Sequence, residues 1–520
     1  MRLARISSPR VLAWATAAVG VVAVVSAATP EMANRYDVVR GLLSQSVPEA
    51  ARTLTLAFGL GLLWLARGLA RRKHRAWQLA VLLVVATAVG HLAKGLDVEE
   101  AVGTLVVLAG LLYARREFIA PGDPAAVRPL LQIVLALAVL APISILHFYG
   151  TVAYSDRVDD AIVIVIGALA LRALAIWLRP VAERVRHLPD DRRRAEQLVH
   201  EHGNDSLAYF ALRQDKATFF SASHRSFLAY RVVGATALVA GDPIGDEAER
   251  AELLDEFRRV AHSKGWRVAV AGAADDALRG YAELGFKSLY LGDEAFVRPA
   301  EFSLDGRPIR KVRQSVSRLD KAGYTFQIAS PAKIDDELRD ELRAVSEEWR
   351  GNWPERGFTM AMDALFAYPD APVAFARDET GAVGGFLQLV PAPASGGYSL
   401  ASMRRRRDSP NGLMEFLIVR TIEWARENGV SEVSLNFSVF AEYLRADRGI
   451  VRALLLRLDR LFQLERLHSF NRKFFPHWRR RYFCVERWSD LPAAGLAYLH
   501  AESLLTPPGP WAKSLDLAAR

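Results

Sequence analysis

The chain has 520 residues, with 67 Lys and Arg against 58 Asp and Glu, a formal charge of +9, and one cysteine, Cys484. That length exceeds what one hydrophobic core usually supports, so two or three domains are expected. A single cysteine excludes an internal disulfide and leaves no cysteine-based zinc site to expect, and the charge balance suits anionic partners such as phospholipid surfaces or nucleic acid, although the basic loops of any membrane protein give the same sign.

In chain order, hydrophobicity comes first. Apolar runs occupy Val11–Ala28, Ala51–Leu69, Ala76–Leu92, Ala101–Tyr113, Leu130–Phe148 and Ala161–Leu178. Most approach the ~20 residues that carry a helix across ~30 Å of hydrocarbon; the fourth needs its flanks. A cleaved signal peptide fits the first run poorly, because five more runs follow it. Loop charges alternate. Arg2, Arg5 and Arg10, then Arg67, Arg71, Arg72, Lys73 and Arg75, then Arg115, Arg116 and Arg128, then Arg179, Arg184, Arg186 and Arg192–Arg194 mark one side. Glu31 and Asp37, then Asp97, Glu99 and Glu100, then Asp156, Asp159 and Asp160 mark the other. The positive-inside rule therefore predicts an α-helical bundle of six transmembrane spans over residues 1–180 of a multi-pass protein of the cytoplasmic membrane, both termini cytoplasmic.

Residues 181–200 read as a juxtamembrane linker. Its charged stretch His187–Arg194 is either a solvated helix face or a contact for lipid headgroups.

Two halves with one grammar follow, 201–310 and 311–500, with a tail at 501–520. In the first, Phe227–Gly245 reads as two strands around Val233-Gly234-Ala235, closed by the Gly-Asp-Pro-Ile-Gly turn. A helix over Glu247–Ser263, a buried strand in GWRVAVAG, and a helix leading to a last strand complete it. In the second, a hairpin turns at Asp378–Gly381, and a third strand, GGYSLASM, runs into the arginine-rich turn. A helix over Gly412–Asn428 stops at Asn428-Gly429, and the strand VSEVSLNF follows. An amphipathic helix over Ile450–Leu467 then precedes a helix end and strand in LHSFNRKFFPHWRRRYFCVE. Each half is strand, strand, turn, helix, strand, helix, strand, an α/β order. It resembles the GNAT-type acyltransferase fold used in tandem, as in peptidoglycan aminoacyltransferases that take amino acids from tRNA. Leu284-Gly285-Phe286 is similar to the tripeptide that often ends the last helix of such domains.

Five collinear pieces narrow the resemblance: LRQDKATFFS (Leu212–Ser221), AYRVVGATALVAGDPIG, SMRRRRDSPNGLMEFLIV, VSLNFSVF and QLERLHSFNRKFFPHWRRRYF. Together, behind a multi-span membrane domain, they resemble the C-terminal catalytic domain of the lysylphosphatidylglycerol synthase family, the multiple peptide resistance factors. The resemblance implies an aminoacyltransferase that moves lysyl or another aminoacyl group from aminoacyl-tRNA to a phosphatidylglycerol hydroxyl. Such a change of membrane charge lowers attraction for cationic antimicrobial peptides. It also implies that the membrane domain helps move the product to the outer leaflet. Two departures stand out. Ala401 occupies a position, two before Met403, where the family commonly has an acidic residue. No fused lysyl-tRNA synthetase follows, so a separate aminoacyl-tRNA synthetase is expected to supply the donor.

The residues suit that chemistry. An aminoacyl ester is already activated, so no cofactor is expected, and no Walker-type loop occurs. A glycerol hydroxyl needs a group to accept its proton and donors for the oxyanion. The turn at Asn411-Gly412 offers free N–H groups at a helix start, with Asp408 as its cap or turn residue. Glu415, in the first turn, is the candidate relay carboxylate; stabilising the helix end is its alternative role. Asn436, ending its strand, points where the fold places the acyl group. Arg404, Arg405 and Arg407 are candidate phosphate ligands. Arg472, Lys473 and Arg480, interleaved with aromatics, are candidates for a tRNA acceptor end, with core aromatics and surface cations as the plainer account. Asp215 and Lys216 match the family's Asp-Lys pair and either close a buried ion pair or orient substrate. Asp242 forms a turn or contacts substrate. The scattered histidines lack metal-ligand spacing, so no metal is expected. Two other readings stay open. One is an acetyl-CoA-dependent N-acetyltransferase, against which the turn is poor in glycine. The other is a non-enzymatic lipid flippase or anion-binding membrane protein.

Overall fold

The computed structural model describes residues 9–29, 46–95, 97–123, 126–148, 156–179, 181, 185, 187–355, 357–439 and 464–506. Most of the helix expected over Ile450–Leu467, the tail beyond residue 506, and the loop charges Arg2, Arg5, Glu31, Asp37, Arg184 and Arg186 lie outside the described residues. The chain divides into two compact units: Met1–Ala182 with Arg259–Trp266, and Glu183–Arg258 with Arg267–Arg520.

The first unit contains α1 (Pro9–Ala28), α2 (Ser46–Leu69), α3 (His74–Gly95), α4 (Val98–Tyr113), α5 (Val127–Phe148) and α6 (Asp156–Trp177), one on each expected apolar run. Their outward faces are apolar: Trp14, Val25, Leu60, Leu82, Val106, Leu135, Ile164 and Leu171 are all exposed. A water-soluble helix hides that stripe, whereas a lipid-facing one displays it. Pro9–Ala28, His74–Leu92 and Asp160–Trp177 are long and apolar enough to cross a membrane. Helices α1 and α2 cross closely because neither carries a side chain at the contact: a Cβ on Gly20 would lie 2.8 Å from the Gly59 carbonyl, and the reverse holds equally. A polar joint links α1, α3 and α4. His91 Nδ1 lies 2.7 Å from Glu100 Oε2, and the Ser26 hydroxyl donates to the same carboxylate.

The second unit opens with α7 (Pro189–His202), so the expected linker is helical over most of its length. The signals are present in retrospect: Pro189 at the first position, Asp190 and Asp191 in the first turn, and Ala195, Leu198 and Val199 buried on one face. The strands are β1 (Ala217–Phe220), β2 (Ser226–Val233), β3 (Thr236–Ala240), β4 (Ile244–Gly245), β5 (Arg267–Ala274) and β6 (Lys287–Val297) in the first half. The second half contributes β7 (Thr325–Ala329), β8 (Val373–Arg377), β9 (Val383–Ala392), β10 (Gly397–Arg405), β11 (Val433–Val439) and β12 (His477–Val485). Helices α8 (Arg250–Ser263) and α9 (Leu278–Glu283) belong to the first half; α10 (Arg310–Lys321), α11 (Asp336–Arg350), α12 (Leu413–Glu427), α13 (Leu464–Asn471) and α14 (Leu491–Ala501) follow.

The repeat in sequence does not produce two separate sheets. One sheet runs β1-β2-β3-β5-β12-β6-β11-β10-β9-β8-β7, with β4 paired to β2. The last strand, β12, is inserted antiparallel between β5 and β6 of the first half, and β6 pairs on its other side with β11. Each half thus lends an edge to the other. The parallel pairs are β3 with β5 and β10 with β11. The first is paired over Thr236–Ala240; the second only at Tyr398–Val433 and Ser399–Ser434, after which the strands part. One sheet face is covered by α7, α14 and residues 207–212, and further along by α11; the other is covered by α10, α12 and α13. The segment before β8, with α10, β7 and α11, has no counterpart among the expected elements, although Val312, Val316 and Leu319 recur at helical spacing and are buried.

Candidate functional site

The parting of β10 and β11 is built into the sequence. Both strands carry register irregularities, between Leu400 and Ser402 on β10 and between Ser434 and Phe437 on β11. Asn436 sits in the second with φ of 76°, in the left-handed region that an asparagine tolerates. Its Nδ2 donates to Met360 O at 3.0 Å and Leu400 O at 3.3 Å, while its Oδ1 accepts from the Phe437 N–H at 2.7 Å. Asn436 therefore ties the separated strands together and holds the Met360 segment over them.

Beyond β10 the chain makes the arginine-rich turn and enters α12. Of the two roles expected for Asp408 it takes the turn: the residue before α12 is Gly412, at φ of 97° with no side-chain cap, and Asp408 lies exposed in the turn. Glycine is required there twice over, since a Cβ would also lie 2.7 Å from that of Ser315. The helical ladder begins with Phe416 N–H donating to Gly412 O at 2.9 Å, so the N–H groups of Met414 and Glu415 lie in the first turn, ahead of it. Asn411 is exposed, and its carbonyl accepts from Arg318 of α10.

Glu415 meets a second expected residue across 58 positions. Lys473 Nζ donates to Glu415 Oε1 at 2.7 Å, with Glu415 16% and Lys473 44% exposed. The Lys473 ammonium also lies 4.9 Å from the centroid of the Phe470 ring. The turn and the basic segment, expected separately, thus converge at the start of α12.

The arginines divide. Arg404 is 6% exposed and makes a bidentate bond to Glu355, at 3.0 and 2.8 Å, and another to Ser346 of α11. It stands as the inner half of an ion pair rather than as an open phosphate ligand. Arg405 Nη1 donates to Ser409 O at 3.1 Å and shapes the turn. Arg407 is exposed, its backbone N–H held by Glu348. Arg472 and Arg480 are exposed too, the latter 5.9 Å from the Tyr290 ring centroid.

Three residues of the first half lie apart from this group. Asp215 accepts two bonds from Arg213, both at 2.9 Å, and one from Arg231 at 3.0 Å. Burial would raise its pKa, but Arg213, Lys216 and Arg231 bring it down to about 2. Lys216 is fully buried; its Nζ donates to Phe210 O at 2.8 Å, and burial with the charge of Arg213 pushes the amine down to about 7. Of the two roles expected, Asp215 takes the ion pair, with Arg213 and Arg231 as its partners, while Lys216 bonds to a backbone carbonyl. Asp242 accepts from Ala274 N–H at 2.9 Å and the Tyr281 hydroxyl at 2.7 Å, locking the turn after β3. Burial and nearby Asp205 raise it to about 6.

Arg481, in the basic and aromatic segment expected at a tRNA end, faces inward instead. It is the buried centre of a network, donating to Glu294 at 2.7 Å, to Asp205 at 2.7 and 3.2 Å and to Ser206 at 2.8 Å, while Ser434 donates to Glu294. Those carboxylates outweigh the effect of burial and raise its pKa. The inserted strand β12 is thereby pinned to its neighbours.

A family profile described as "Phosphatidylglycerol lysyltransferase, C-terminal" matches residues 196–485. The lysylphosphatidylglycerol biosynthesis bifunctional protein LysX of Rhodococcus jostii is 32% identical over 501 residues, covering 87% of this chain and 45% of that protein. The Mycobacterium avium protein of the same name is 31% identical, covering 96% and 47%. The chain therefore spans about half the length of these curated relatives. Among solved structures, L-PGS from Bacillus licheniformis superposes with a TM-score of 0.55 at 25% identity, over 61% of this chain and 98% of that one. A C-terminal domain from Agrobacterium fabrum, named for a lysylphosphatidylglycerol synthetase, gives 0.53 at 27%, over 61% and 97%.

Proposed function

Since this chain belongs to the phosphatidylglycerol lysyltransferase family, we propose that it transfers an aminoacyl group from aminoacyl-tRNA to a glycerol hydroxyl of phosphatidylglycerol. The observation that carries this reading is the meeting of Glu415 and Lys473 at the start of α12, the helix entered from the turn that carries the exposed Arg407. The lipid hydroxyl oxygen attacks the ester carbonyl, and Glu415 takes its proton. First-turn N–H groups of α12 face the developing oxyanion. The intermediate collapses when the ribose oxygen of the tRNA leaves and recovers that proton, so the step needs no oxidant, nucleotide or metal. Lys473 holds the carboxylate in place, and Arg407 with Arg472 and Arg480 supplies positive charge for lipid phosphate and the tRNA end. Arg404 clamps Glu355 below the arginine-rich turn, and Asp215, Lys216 and Asp242 hold the first half in shape.

The six helices of the first unit constitute a six-span domain over residues 1–180, with both termini cytoplasmic, a reading supported by the alternation of loop charge. An aminoacyl-tRNA synthetase supplies the donor. Each product carries at least one new ammonium group and so lowers the negative charge of the leaflet.

The test is full-length protein in phosphatidylglycerol vesicles with tRNA charged with labelled amino acid. RNase-sensitive appearance of label in lipid is expected. Label entering only from acetyl-CoA would replace this reading with N-acetyl transfer, and no transfer would leave an anion-binding membrane protein.

A further inference from the structure

The polar joint of the first unit gathers side chains of the kinds that ligate metals. His91, Asp97 and Glu100 bring one ring nitrogen and two carboxylate oxygens within 4.8 Å of one another, and they form the one such group of His, Cys, Asp or Glu side chains among the described residues. Local structure makes them meet. Helix α3 gives way to α4 across a tight break, where the Asp97 N–H reaches back to His91 O at 3.1 Å. Asp97 and Glu100 then stand three positions apart at the start of α4, on one helix face. Asp97 occupies the N-cap position, yet its carboxylate makes no capping bond to the helix. His91 is 0% exposed, and α2 packs hard against the same stretch, with Thr55 filling the space that a Cβ on Gly90 would need. Glu100 lies 2.7 Å from His91 Nδ1 and accepts from the Ser26 hydroxyl of a third helix, α1.

We propose that His91, Asp97 and Glu100 bind a divalent transition-metal cation, zinc or manganese(II), which locks α3 to α4. The donor set decides the class. Imidazole nitrogen suits zinc and carboxylate oxygen suits zinc and manganese, whereas magnesium and calcium take oxygen ligands. Donors around a tetrahedral zinc at about 2.0–2.2 Å lie about 3.4 Å apart, so rotation of the half-buried Asp97 and Glu100 side chains closes the set around an ion. Their partial exposure also gives the ion a way in and leaves room for water as the remaining ligands. Ser26 supplies the outer contact that orients a ligating carboxylate. The competing account is a plain ion pair of His91 with Glu100. That pair buries an imidazolium, while a metal takes the ring neutral. Two carboxylates this close to one another also favour a dication over a single positive charge. None of the residues given to acyl transfer takes part.

The test uses full-length protein in detergent, purified without a polyhistidine tag, stripped with chelator and desalted. Zinc and manganese(II) are added separately, and the metal retained through a second desalting is counted by elemental mass spectrometry. One ion per chain is expected to remain with at least one of the two metals. The unfolding temperature should rise with that metal and fall again with chelator, since an ion that binds only the folded state stabilises it. His91→Ala removes a ligand and should abolish retention. Ser26→Ala removes only the outer contact and should weaken binding, read by titration, about ten- to a hundredfold. Glu100→Gln covers the case in which His91→Ala does not fold. A native chain that retains neither metal, with an unfolding temperature indifferent to chelator, overturns the proposal and leaves the ion pair. Retention undiminished in both His91→Ala and Glu100→Gln overturns it too, because the metal would then sit elsewhere.

Discussion

Replacing Glu415 by Gln separates the two roles open to this side chain. As the proton acceptor, its loss removes a general base, an effect of about 10²–10⁴ in kcat. At 1.36 kcal/mol per decade that is about 2.7–5.4 kcal/mol of barrier. As a helix-end carboxylate alone, it contributes about 0.3–1 kcal/mol to stability and nothing to the chemical step. The Lys473 contact adds little to stability in either case, because the ammonium is 44% exposed and such pairs contribute about 0–1 kcal/mol after screening. The structure therefore predicts a large fall in single-turnover rate with the midpoint of chemical unfolding almost unmoved. Rapid-quench transfer from pre-bound aminoacyl-tRNA, alongside urea unfolding, reads both. A Glu415→Gln protein with a turnover rate within threefold of native would refute the assignment.

Other perturbations have distinct signatures. Replacing Arg407 and Lys473 together by Ala should raise KM for donor and flatten its salt dependence, measured as the slope of log(kcat/KM) against log salt concentration, while circular dichroism stays native. Arg404→Ala leaves Glu355 without its clamp; because that carboxylate is 27% exposed, the loss should sit at or below the lower end of the roughly 3–5 kcal/mol seen for broken buried pairs, read by urea unfolding. Asp242 gives a pH effect whose sign follows from linkage. Its folded pKa, about 6, lies above the ordinary 3.8, so the native state binds more protons between those values. Its contribution is complete below pH 3.8 and lost as pH rises through 6, so Asp242→Asn should flatten that part of the stability profile and gain relative stability at pH 8.

Local grammar was legible where the determinants are local. The hairpins at Gly234 and Asp378–Gly381, the helix stop at Asn428-Gly429 and the apolar runs of α1–α6 carry their own turn residues and periodicity. The insertion of β12 between β5 and β6 was not, because it is decided by pairings such as Arg481 with Asp205, 276 positions apart. The same holds at the site. Arg404 read as a phosphate ligand because its counter-charge, Glu355, lies 49 residues back in a segment without a recognisable motif. Asp408 read as a cap or a turn residue, and local sequence could not choose between them; the close approach of Ser315 demands Gly412 at the helix entry and leaves Asp408 to the turn. Glu415 and Lys473 were each legible from local context; only the fold brings them together.

Mass spectrometry of the lipid is the most direct measurement of the central claim. Full-length protein, phosphatidylglycerol vesicles and charged tRNA should give a lipid heavier by one aminoacyl residue, alkali-labile as an ester, and absent with Glu415→Gln. Phosphatidylglycerol recovered at unchanged mass with every charged tRNA offered would contradict the account.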